Sequence, residues 1–138
     1  MRILAVDPGS IRIGLAISDP TGTIANKLTV LHHVARLLDA AAVAEIARTN
    51  GAGLIVIGQS LDDDGNPTFE GRRAWRFAEA LKTQTDLPTV FWDEAFTTQE
   101  ARAARIAMGV SRKNRQGHLD SLAASILLQS YLDANPQK

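Results

Sequence analysis

The sequence predicts an α/β fold: a five-stranded mixed sheet, with three antiparallel hairpin strands and two parallel ones, flanked by helices. Three observations predict it. Residues 2–30 hold three short strand patterns separated only by turn residues. From residue 34 onward, apolar strand-like runs alternate with helical spacing, as in parallel strands joined through helices. Pro and Gly fall at turns and no linker interrupts the chain, so residues 1–138 read as one domain.

The elements follow in order. Residues 2–7 are apolar until Asp7, the pattern of a strand buried on both faces. Pro8-Gly9-Ser10 is a turn. Ile13, Leu15 and Ile17 alternate with Gly14, Ala16 and Ser18 in a period-two strand. Asp19-Pro20-Thr21-Gly22 is a second turn, and residues 23–30 form a third strand. A helix is expected over residues 34–50, with Val34, Leu37, Leu38, Ala41, Ala42 and Ile46 as its inward side and Gly51 as its stop. Leu54-Ile55-Val56-Ile57 is a buried strand ended by Gly58. An acidic loop, Asp62-Asp63-Asp64-Gly65-Asn66-Pro67, leads to a helix over residues 70–84. Thr89-Val90-Phe91-Trp92 is the fifth strand. Thr97 and Glu100 form a capping box that opens a helix to Met108, closed by Gly109. The last helix is expected over residues 117–133, with Leu119, Leu122, Ala123, Ile126, Leu127 and Ser130 as its buried side.

Composition narrows the chemistry. The chain has no cysteine, which removes disulfides, thiolate metal sites and thiol nucleophiles and suits a reducing compartment. The apolar run Ile3-Leu4-Ala5-Val6 is too short for a signal-peptide core or a membrane span, so a cytoplasmic protein without a membrane partner is expected. Fifteen basic and fifteen acidic residues give zero net charge, yet the cations cluster. Arg72, Arg73 and Arg76 form one group, and Arg112, Lys113 and Arg115 form another. The second group precedes the last helix between Gly109 and Gly117, where it would hold a nucleic-acid backbone or serve as an ordinary solvated connector.

Three acidic positions stand out. Asp7 ends an apolar strand, where a charge is costly unless it is paired, metal-bound or facing a cleft. Its alternative role is to cap the Pro8-Gly9-Ser10 turn. Asp93-Glu94 follows the fifth strand, at the sheet edge where ligands collect in such folds, or favours the N-terminus of the next helix. Asp120 lies at the margin of the last helix's apolar sector, or is simply an acid in its first turn. Together they supply carboxylates from two strand ends and one helix, expected to converge at one edge. Oxygen-rich sites without His or Cys suit Mg²⁺ or Mn²⁺. Such ions can activate a water and stabilise the leaving oxygen in phosphodiester cleavage.

Along nearly its whole length the sequence resembles the YqgF/RuvX (Holliday-junction-resolvase-like) family. The residues that carry the resemblance are Arg2-Ile3-Leu4-Ala5-Val6-Asp7-Pro8-Gly9, Ile13-Gly14-Leu15-Ala16-Ile17-Ser18-Asp19, Ile55-Val56-Ile57-Gly58, Trp92-Asp93-Glu94-Ala95-Phe96-Thr97-Thr98 and Asp120-Ser121-Leu122-Ala123-Ala124. The resemblance implies an RNase H-like fold with a three-acid site, which falls on Asp7, Glu94 and Asp120, leaving Asp93 a structural role. It also implies a nuclease that matures the 5′ end of pre-16S rRNA. Holliday-junction resolution on branched DNA is the older reading of the family. Ala95 stands where the family carries Arg, and Gln59-Ser60 where it carries Pro. These departures keep a non-catalytic ribosome- or transcription-associated RNA-binding factor as the alternative. An actin- or sugar-kinase-type ATPase would need a second domain of the same kind. Expected partners are structured RNA or branched DNA, with ribosomal particles a further candidate, and the chain is expected to be a monomer or weak homodimer.

Overall fold

The structure, a computed structural model, describes residues 1–94 and 117–137. In chain order the elements are β1 (Arg2–Pro8), β2 (Arg12–Ser18), β3 (Ala25–His32), α1 (Arg36–Thr49), β4 (Ala52–Gln59), α2 (Phe69–Lys82), β5 (Thr89–Asp93) and α3 (Gly117–Ala134). The helix expected to end at Met108, with its Thr97/Glu100 capping box, lies outside the described residues.

The strands form one sheet in the order β3-β2-β1-β4-β5. β2 runs antiparallel to both β1 and β3, whereas β4 is parallel to β1 and β5 parallel to β4. This is the mixed sheet that the sequence predicts. The second hairpin turn is fixed by one side chain. The Asp19 carboxylate accepts hydrogen bonds from the amides of Thr21, Thr23 and Ile24 at 3.2, 2.8 and 2.9 Å. Gly22 supplies the positive φ, +72°, that completes the reversal.

β1 lies in the middle of the sheet and is covered on both faces, so its apolar run is unbroken. Leu4 and Val6 pack with Ala40, Val43 and Ala47 of α1 and with Ala74, Phe77 and Leu81 of α2. Ile3 and Ala5 face the other way, against Ala124, Leu128 and Leu132 of α3. The α3 layer also pins the edge of the sheet. Trp92 donates its indole N–H to Ser130 Oγ at 3.1 Å and stacks edge-on against Tyr131.

Three local expectations are corrected. The inward side of α1 is Asp39, Ala40, Val43 and Ala47, while Val34, Leu37 and Leu38 are exposed. The cause is Asp39, whose carboxylate takes His33 Nδ1 at 2.5 Å and the Val34 amide at 3.0 Å. Those bonds turn position 39 inward and rotate the leucines out. In α3 the fully buried apolar side chains are Ala124, Leu127, Leu128 and Leu132, whereas Leu122, Ala123 and Ile126 are half-buried. A helix apolar nearly all round gives periodicity little phase to read. Finally, β4 does not end at Gly58. It runs on to Gln59, which pairs with Asp93 of β5. Among the described residues no helix is long and apolar enough to cross a membrane.

Candidate active site at the C-terminal edge of the sheet

β1, β4 and β5 are parallel, so their C-terminal ends share one edge, the usual ligand edge of such sheets. Asp7 is the next-to-last residue of β1, half-buried and paired with Gly14 of β2. Strand alternation puts it on the face of Ile3 and Ala5, the face that α3 covers. Asp93 closes β5 and is buried, 9% exposed. It alternates with Trp92, whose ring lies on the α3 face, so Asp93 belongs to the opposite face. Glu94 directly follows β5 and is half-buried.

The course of α3 is fixed by contacts at its far end. The Gln129 side chain accepts from the Ala25 amide at 2.9 Å and donates to the Thr23 carbonyl at 3.0 Å. A Cβ on Gly22 would meet the Gln137 side chain and the Met1 carbonyl. The C-terminus of α3 therefore lies at the start of β1, and its first turn lies toward the end of β1. Asp120 belongs to that first turn. Its side chain, and the whole segment holding Arg112, Lys113 and Arg115, lie outside the described residues, as does Ala95. Among the described residues no group of three or more His, Asp or Glu could hold a metal ion.

Gly58 gives this edge its shape. By register it lies between Asp7 of β1 and Trp92 of β5, on the α3 face. A Cβ there would meet Leu127 Cδ2 at 2.7 Å, so the missing side chain is what lets α3 settle onto the sheet beside Asp7. Sequence reasoning took Gly58 only as a strand stop. Nothing in the sequence alone separates a stopping glycine from a packing one. On the opposite face, Gln59 accepts the Trp75 indole N–H at 2.8 Å, and the Ser60 carbonyl accepts from the Thr68 amide at 3.0 Å. Gln59-Ser60 thus ties β4 to the start of α2.

Comparison with known proteins agrees with this architecture. The RuvX family model, described as Holliday junction resolvase, matches residues 1–134. The chain belongs to the RuvX family. A relative from Syntrophus aciditrophicus, named "Putative pre-16S rRNA nuclease", is 40% identical, with 100% of this chain and 92% of the relative covered. One of the same name from Thermoanaerobacter pseudethanolicus is 37% identical, with both chains fully covered. Among solved structures, this RuvX-family chain resembles Thermus thermophilus RuvC in complex with a Holliday junction substrate. That match has a TM-score of 0.62 at 17% identity, covering 100% of this chain and 98% of that one. The fowlpox virus Holliday junction resolvase gives a TM-score of 0.55 at 17% identity, covering 97% and 99%. These two likenesses establish a fold shared with RuvC-like RNase H-fold resolvases.

Proposed function

We propose that this chain is a metal-dependent endonuclease that cleaves phosphodiester bonds in structured nucleic acid, with Asp7, Glu94 and Asp120 as its carboxylates. The observation that carries the reading is the shared edge: Asp7 is next to the last residue of β1, Glu94 directly follows β5, and the course of α3, with its C-terminus at the start of β1, sets its first turn toward that edge. At about 100° per residue, position 120 falls between those of Leu127 and Ala124 around the helix, inside the sector that packs on the sheet. Leu127 rests on Gly58, beside Asp7.

The donors are carboxylate oxygens in a chain without cysteine, which fits Mg²⁺ or Mn²⁺. A bound divalent ion would supply Lewis-acid activation of water and charge neutralisation at the phosphate. Asp7 and Glu94 contribute negative charge from two separate strand ends, with the glycine of β4 between them. Asp93, on the other face, serves structure. Arg112, Lys113 and Arg115 hold the backbone of the substrate.

The names of the relatives favour pre-16S rRNA as substrate, and the family description favours four-way DNA junctions. One assay decides between them: Mg²⁺- or Mn²⁺-dependent cleavage of precursor rRNA, four-way junctions and plain duplexes, with Asp7→Asn as control. Cleavage of precursor rRNA by the wild type, abolished in Asp7→Asn, is the expected result. Preference for the junction would move the substrate to branched DNA. Absence of cleavage with all three, in a folded protein that binds RNA, would leave the non-catalytic RNA-binding factor.

A further inference from the structure

We propose that the cleft between the Pro8–Ser10 turn and helices α1 and α2 is a second substrate contact, holding one backbone phosphate of a nucleic-acid strand. The proposal rests on the nucleic-acid reading above but uses different residues on the opposite face of the sheet. A cavity of about 390 Å³ opens there, lined by Gly9, Ser10, His33, Arg36, Asp39 and Arg73 among others. That volume suits one small ligand unit. Its lining begins at Pro8, the residue after Asp7, so a strand reaching both places would pass over the sheet edge.

The donors outnumber the free acceptors. Arg36 has no ion-pair partner among the described residues. Arg73 pairs with Glu70 one turn earlier through Nη1, which leaves other guanidinium donors for a ligand. Asp39 is the one carboxylate in the lining, and it is 5% exposed with both oxygens engaged, by His33 Nδ1 and by the Val34 amide. It therefore serves to orient His33, and Arg36 and Arg73 are the full positive charges of the lining. The His33 ring is 44% exposed, and with Nδ1 donating to Asp39, the protonated ring has Nε2–H left for a phosphate oxygen. Cations continue outward from the cleft. Arg36 also borders the neighbouring depression, together with Arg76 and Glu79 of α2, where the Glu79 carboxylate accepts from Lys82. A solvated helix face would need neither the enclosed carboxylate nor the convergence of α1 and α2 cations on a glycine turn.

The test measures binding of the full-length chain to a labelled single-stranded RNA and to a duplex of the same sequence, by fluorescence anisotropy in EDTA. Salt is varied between about 50 and 200 mM. The Arg36→Gln/Arg73→Gln double variant should bind the strand roughly tenfold more weakly. Its log–log salt slope should flatten by about one phosphate's share, roughly 0.7–0.9. His33→Asn, whose side-chain amide can still donate to Asp39 but offers no counterpart of Nε2, should weaken binding by more than any change in its unfolding midpoint accounts for. The Arg36→Gln single variant, on an exposed side chain, keeps the comparison readable if the double variant unfolds. Unchanged affinity and slope in these folded variants overturns the proposal. A 5′-mononucleotide that binds the wild type as tightly as the strand, and is lost in the variants, overturns the strand assignment in favour of a free phosphate monoester. The two readings fail separately. Asp7-dependent cleavage with no binding effect in the variants sinks the cleft alone. Arg36- and Arg73-dependent binding without any cleavage supports the cleft and sinks the nuclease.

Discussion

Asp7 and Asp19 are both carboxylates at strand ends, and their surroundings give them opposite work. Asp19 is spent on structure. Hydrogen bonds from the Ile24 amide, the Thr21 hydroxyl and the Thr23 amide hold its carboxyl well below its ordinary value of 3.8. A folded-state pKa below the unfolded one means that its stabilisation is fully present above about pH 4 and is lost as pH falls further. Asp19→Asn should therefore lower the unfolding midpoint at neutral pH and leave the acid limb of the stability–pH curve flatter, as read by thermal unfolding across pH 2–7. An acid limb identical to that of the wild type would show that the turn does not depend on the charge. Asp7 instead sits at the ligand edge. Asp7→Asn should abolish metal-dependent cleavage while the metal-free protein keeps its unfolding midpoint or gains slightly, because a carboxylate cluster repels itself. Unfolding of Asp7→Asn would assign Asp7 to turn capping.

The start of α2 and the bed of α3 each depend on a glycine that admits a close neighbour. Thr68 caps α2 by accepting the Gly71 amide at 3.2 Å, and a Cβ on Gly71 would meet the Ser60 carbonyl at 2.2 Å. Thr68→Ala should cost about 1 kcal/mol. Gly71→Ala should cost about 1–3 kcal/mol, because backbone on both sides must move. Since the two residues share one hydrogen bond, the double variant should cost less than the sum, and a thermodynamic cycle by denaturant unfolding reads that coupling. Gly58→Ala should act on function as well. Leu127 is 1% exposed, so its Cδ2 must shift within a packed interior and disturb the seat of α3. Destabilisation of about 1–3 kcal/mol with loss of cleavage is expected. Full cleavage in Gly58→Ala would show that the active edge tolerates a displaced α3.

The sheet divides the apolar interior into two clusters, one under α1 and α2 and one under α3. Leu81 belongs to the first and Leu128 to the second, and both are fully buried. Truncating either to Ala should cost about 2–5 kcal/mol. With the sheet between them the costs should add within about 0.5 kcal/mol. They should differ in consequence, since Leu128→Ala loosens the layer that carries Asp120, and Leu81→Ala does not. Cleavage measured well below each variant's unfolding midpoint reads that difference, and equal losses of activity would deny α3 its special place.

The strand run Ile3–Val6, the alternation of Ile13, Leu15 and Ile17, and the turn residues between them predict the mixed sheet directly, because strand periodicity and turn chemistry are local. The carboxylates at the strand ends were legible for the same reason: a charge that closes an apolar run is visible without a structure. Helix phase was not. Val34, Leu37 and Leu38 have the right spacing for a buried face, yet Val34 precedes α1, and the bonds that Asp39 accepts from His33 and the Val34 amide go with an inward Asp39 and outward leucines. Gly58 reads as a stop in the sequence and as a seat for Leu127 in the fold, because close approach between β4 and α3 exists only once residues far apart in the chain are packed together. The cleft of His33, Arg36 and Arg73 arises in the same way. Its donors come from separate stretches of chain, and only the packing of α1 and α2 against the Pro8–Ser10 turn brings them to one place.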